Sequence, residues 1–104
     1  MELTKFGERL AKLRTATGIS ARKMSFSIGQ NDSYINKIEN GRIYPSMTAF
    51  FEICKCLNIS ERDFFDLENN HPLEVNEMLT EYKRLDSSAQ THVAGIIKVL
   101  INNK

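Results

Sequence analysis

The stretch from Asn31 to Ile38 sets hydrogen-bonding side chains against apolar ones at a fixed spacing. At roughly 100° per residue, Asp32, Ser33, Asn36 and Lys37 share one arc of a helix, and Ile35 and Ile38 fall opposite. Such an arc can meet the edges of nucleobases. Lysine donates to guanine acceptors, asparagine bonds adenine through two groups, and aspartate accepts from the cytosine N4 amine. A solvated helix face has the same pattern, so the surrounding sequence has to decide between the two.

Other groups offer less. His71 and His92 have no metal-ligand partner at helical spacing and read as surface histidines. Glu74, Glu77 and Glu81 form a solvated acidic face. Cys54 and Cys56 lie two residues apart in one helix, so their side chains diverge by roughly 200° and do not pair. Cys54 reads as core, Cys56 as more exposed, and both as free thiols of a reducing cytoplasm. No serine–histidine–aspartate grouping, phosphate loop or nucleophile elbow is present. No catalytic residue, metal or cofactor is expected, and no enzyme is read.

Helical punctuation positions the polar arc. Phe6, Leu10 and Leu13 predict a first helix stopped by Gly18. Ser20 caps a short second helix with Met24 and Ile28 inward, ending at Gly29. Asn31 caps the third, which carries the arc and ends before Gly41. Pro45-Ser46 opens a fourth that buries Phe50, Ile53, Cys54 and Leu57, and Ser60 with Asp63 suggests a capping box for a fifth carrying Phe64 and Phe65. Residues 67–72 read as a linker. Val75, Met78, Leu79, Tyr82 and Leu85 predict a sixth helix with Pro72 in its first turn. Ser87 with Gln90 resembles a capping box for a seventh, where Val93, Ile96, Ile97, Leu100 and Ile101 form an apolar stripe. Gly95 in that helix costs about 1 kcal/mol against alanine, tolerable where a neighbouring helix comes close. No run of 18 apolar residues occurs, so no membrane span is expected. Residues 5–42 carry eight basic side chains against three acidic, a net +5, and residues 67–104 carry four against five. A basic front suits an anionic partner.

Residues 10–65 resemble the phage-repressor and Cro-like helix-turn-helix family, also called the xenobiotic-response-element family. The resemblance runs through "LAKLRTATGIS", "MSFSIGQNDSYINKIENGR", "YPSMTAFFEICKCLNIS" and "DFF". It implies an all-α fold with a five-helix, lambda-repressor-like DNA-binding domain over residues 1–66, and the helical pattern of the tail extends this by a two-helix hairpin over 73–104. It further implies sequence-specific binding of double-stranded DNA by a small cytoplasmic transcriptional regulator, usually a repressor, with helix 31–40 in the major groove. Asp32, Ser33, Asn36 and Lys37 fall where this family reads bases, with Asn31 and Tyr34 at the flanks. Ser20, Asn40, Arg42 and Tyr44 match its phosphate-contacting positions. Arg14 and Glu39 match a pair that bridges the first helix to the end of the third.

Two positions depart from the family pattern. Ala21 stands where a glutamine usually grips a phosphate, a contact that is lost or passes to Arg22. Asp32 stands where a basic or amide side chain is common, and its charge repels phosphates unless it meets a cytosine amine or a neighbouring cation. The tail, residues 73–104, lies outside the resemblance. Its stripe suits packing on the five-helix domain, a docking surface for another protein, or a homodimer on a near-palindromic operator, the last because one reading helix makes few base contacts. The rival expectation keeps the helix-turn-helix as a scaffold for a protein partner, in the manner of an antitoxin or an anti-repressor target.

Overall fold

A helix over Leu3–Thr17 (α1) opens the computed structural model, which describes residues 1–103. Phe6, Leu10 and Leu13 line its buried side. Gly18 ends it at φ 77°, a left-handed value that is costly for any residue with a Cβ. Ser20 then starts α2 (Ala21–Ser27), its Oγ accepting the Lys23 N–H at 3.0 Å. That bond satisfies one of the amides a helix start leaves without a partner. After a tight turn comes α3 (Tyr34–Glu39), anchored by the fully buried Ile35 and Ile38. Ser46 caps α4 (Met47–Leu57) and Ser60 caps α5 (Glu61–Phe65) by the same chemistry, accepting from the Ala49 and Asp63 amides.

Met24, Ile35, Ile38, Ile53, Cys54, Leu57 and Phe64 join the α1 residues in one core. The Phe64 ring stands 4.9 Å from Phe6 and 5.1 Å from Phe50, the latter edge-on, an arrangement that aromatic quadrupoles favour. Arg9 is buried as well, and its guanidinium is fully employed. Its Nε donates to the Phe64 carbonyl at 2.6 Å, and its Nη2 donates to the Asp63 and Asn69 carbonyls at 2.7 and 2.9 Å. Burial pulls its pKa down, against the opposing pull of Asp66 and Asp63. With Nη1 donating to Asn70 Oδ1 at 3.4 Å, the segment after α5 is thus fastened to α1 as far as Asn70.

Two compact units emerge, Met1–Pro72 and Leu73–Lys104. The second is a pair of helices, of which α6 (Pro72–Lys83) begins on the last residue of the first unit, and α7 (Ser87–Asn102) follows a short turn. The sequence expects a Ser87–Gln90 capping box; the cap is instead Asp86, whose Oδ1 accepts the Ala89 N–H at 2.8 Å. A carboxylate is the stronger acceptor at the positive end of a helix. Gln90 turns away, donating from Nε2 to the Tyr82 carbonyl at 3.0 Å. No residue of 73–103 is buried. Among the described residues there is no strand, and no helix is long and apolar enough to cross a membrane.

Candidate nucleic-acid interface

Ser25 fixes how α3 leaves α2. Its buried hydroxyl donates to the Ala21 carbonyl at 2.9 Å and accepts the Ile35 N–H at 3.1 Å. That amide lies in the first turn of α3, where the helix itself supplies no acceptor. The other end of α3 is held by α1. A Cβ on Gly7 would stand 2.4 Å from the Ile38 carbonyl oxygen and 2.7 Å from that of Glu39, so only glycine lets the two backbones approach this closely. Beside that contact, Arg14 Nε and Nη2 donate to the two carboxylate oxygens of Glu39 at 2.6 and 2.8 Å, and Nη1 donates to the Ile19 carbonyl at 2.9 Å. The bond to Glu39 raises the Arg14 pKa, outweighing desolvation.

The helix so held is shorter than the sequence pattern suggests. In place of a reading helix over 31–40 capped by Asn31, α3 begins at Tyr34, and Asn31, Asp32 and Ser33 form the turn before it. Asn31 Oδ1 accepts from both the N–H and the hydroxyl of Ser33, at 3.2 and 3.0 Å. This local side-chain bond competes with helix formation and delays it by one turn. Asn36 and Lys37 are exposed on α3 itself, opposite Ile35 and Ile38, whereas Asp32 and Ser33 are presented by the turn.

The neighbouring side chains are partly engaged. Asn36 Oδ1 accepts from Asn40 Nδ2 at 3.2 Å, leaving the Asn36 amide donors outward. Tyr34 is half-buried and its hydroxyl accepts the Ser46 N–H at 3.3 Å. Tyr44 donates its hydroxyl to the Met1 carbonyl and sets its ring edge-on to Phe6 at 5.7 Å. Ser20 and Arg42 are exposed. Arg22 brings its Nε to 3.8 Å from Asp32 Oδ2 and lies 5.6 Å above the ring of Phe26.

The tail candidates divide. Val93 and Ile97 line an apolar groove of about 680 Å³ with Val75, Met78, Leu79 and Tyr82 of α6, while Ile96, Leu100 and Ile101 stand exposed. Nothing lies within 4 Å of a Cβ built on Gly95, so the close neighbour helix expected there is not supplied by this chain. The first unit also exposes apolar side chains that the sequence pattern conceals: Met47, Phe51 and Phe65 are exposed, and of the two α5 phenylalanines only Phe64 is buried. Burial pushes the Cys54 thiol up to about 12 and raises that of Cys56 as well. Among the described residues no group of histidine, cysteine and carboxylate side chains could hold a metal.

Sequence reasoning misses Ser25, Gly7, Arg9 and Phe26. Ser25 leaves one usable signal, a small hydroxyl beside the inward Met24 of a seven-residue helix. The other three act through partners far away or across a turn.

The helix-turn-helix family profile matches residues 10–64. Among solved structures, the restriction-modification controller protein C.AhdI from Aeromonas hydrophila is 36% identical over 61% of this chain and 91% of its own, with a TM-score of 0.57. No curated protein matches the chain significantly. The fold is thereby the five-helix, lambda-repressor-like arrangement, here continued by two further helices.

Proposed function

The chain belongs to the helix-turn-helix family, and we propose that it is a sequence-specific regulator of transcription that reads the major groove of double-stranded DNA. Asn36 and Lys37 read from α3, Asp32 and Ser33 from the turn ahead of it, and Asn31 and Tyr34 flank them. Ser20, Arg22, Asn40, Arg42 and Tyr44 meet phosphates, and occupation of an operator represses. The observation that carries this reading is the threefold fixing of α3 by Ser25, Gly7 and Arg14–Glu39, while Asn36 and Lys37 stay exposed. A merely solvated helix needs no such fixing; a base-reading one does, since its side chains must hold their register in the groove. The name of the 36% identical relative, a restriction-modification controller, supports a regulatory role.

Residues 73–104 act in this reading as a dimerising hairpin joined through 67–72. Ile96 to Ile101 are apolar on every side but Lys98, and a helix apolar all round belongs inside a bundle. A second copy of the hairpin provides that bundle and gives two reading heads for a near-palindrome in the cytoplasm.

The test is selection of bound duplexes from a random pool with purified protein at fixed salt. A near-palindromic site is expected, with half-sites about one helical turn apart. Asn36→Ala and Lys37→Ala should each cost about 1–3 kcal/mol on it and relax one base step. Enrichment of no sequence over bulk DNA would refute the proposal.

A further inference from the structure

We propose that Arg22 and Asp32 act as one reading unit, in which Asp32 selects a base presenting an amino donor, cytosine above all, and Arg22 holds the adjoining phosphate. This rests on the DNA-reading function proposed above and assigns one position of the operator. The two side chains come from different elements, α2 and the turn before α3, and meet at 3.8 Å. They are 72% and 58% exposed, so the pair contributes little to holding the fold together. Its consequence is electrostatic. A lone carboxylate facing a groove lined by phosphates is repelled; one beside a guanidinium is not.

The elements decide which partner takes which group. In a helix-turn-helix the first helix crosses the sugar–phosphate backbone, and the start of the second enters the groove. Arg22, on α2, is on the backbone side, and Asp32, just ahead of α3, is on the base side. Arg22 Nε comes to 3.8 Å from Asp32, beyond hydrogen-bond reach, so the guanidinium N–H donors stay available to a phosphate. The Phe26 ring, itself exposed, lies 5.6 Å beneath the guanidinium and restrains it. Asp32 has only acceptors. The major-groove edges of guanine and thymine also accept, and adenine offers N7 beside its amine, whereas cytosine offers a donor alone. Ala21, too short to reach a phosphate, leaves that contact to Arg22.

Selection with the intact protein and with Asp32→Ala, Asp32→Asn and Arg22→Ala tests the inference. Wild type should favour cytosine at one position of each half-site by roughly 5- to 150-fold, the range of one good base contact. Asp32→Ala should erase the preference there while other positions stay selective, and Asp32→Asn should move it to adenine, which asparagine bonds through two groups. Arg22→Ala should weaken all sequences and lower the salt slope by about one. A selected site whose preferences are the same in Asp32→Ala overturns this inference and leaves the proposed function standing. So does a guanine preference lost in Arg22→Ala, which would make Arg22 the reader and Asp32 its prop. A wild type that selects no site refutes the function itself and this inference with it.

Discussion

Replacing Glu39 with alanine removes the acceptor of two charge-assisted hydrogen bonds and strands Arg14 with only the Ile19 carbonyl. Breaking one side of a deeply buried ion pair costs about 3–5 kcal/mol, mostly because the remaining charge has lost both water and partner. Here the side chains are 19% and 10% exposed, so solvent recovers part of the loss. The expected cost is therefore about 2–3 kcal/mol, below the fully buried range. In a folded unit of this size each kcal/mol lowers the melting temperature by about 4–8 °C, which places the drop near 10–20 °C. Thermal and urea unfolding of Glu39→Ala, Arg14→Met and the double variant measure the coupling. Because the double variant leaves no stranded charge, it should be no less stable than Glu39→Ala alone. Single costs that add within about 0.5 kcal/mol would show the two to be independent and refute the reasoning.

Gly7→Ala should destabilise by about 1–3 kcal/mol, because its Cβ meets backbone oxygens of α3 that cannot swing aside; an unchanged unfolding midpoint would show the approach to be looser. The Cys54 thiol, pushed from 9.0 up to about 12 by burial, is neutral in the folded chain where the unfolded chain already ionises. Stability should therefore be complete below about pH 9 and fall as pH rises beyond it, as urea titrations from pH 7 to 10 can follow, whereas Cys54→Ala should flatten the decline. Ile97→Asp should leave the helical circular dichroism intact and sediment as a monomer, against the dimer proposed for wild type. A dimer that survives the change would move the interface elsewhere, for instance to Met47, Phe51 and Phe65.

What was legible in the sequence was what is local. Phe6, Leu10 and Leu13 declare α1, Ser20, Ser46 and Ser60 announce the helices they cap, and Gly18 and Gly41 mark stops at positive φ. Each depends on spacing within a turn or two of chain. Two local choices depart from the sequence pattern, and for one reason: short polar side chains compete for the same amides. The pattern starts a helix at Asn31, which instead folds a turn with Ser33, and Asp86 takes the cap that the pattern gives to Ser87. The features beyond reach are tertiary. Arg9 resembles any surface arginine of an amphipathic helix until the carbonyls of Asp63, Phe64 and Asn69 are brought to it, and Gly7 resembles an unremarked helical glycine until α3 lies against it. The exposure of Phe65 is likewise set by how α5 sits on the core, since neighbouring phenylalanines cannot both face one way on a helix.

The delayed start of α3 divides the proposed reading surface into two parts held by different forces. Asn36 and Lys37 inherit their positions from Ile35 and Ile38, and so from the core, Ser25 and the Arg14–Glu39 pair. Asp32 and Ser33 inherit theirs from a turn bounded by Gly29 at φ 74° and tied by surface hydrogen bonds of Asn31. Surface bonds of this kind contribute about 1 kcal/mol each, against several for burial of an isoleucine pair. The core-held part can therefore change its preferences only through its own side chains, because moving the backbone beneath it disrupts the fold. The turn-held part can be re-aimed through Asn31, or changed at Asp32 and Ser33, at little cost in stability. Substitutions at those three positions are accordingly where operator preference can drift while the five-helix unit stays intact.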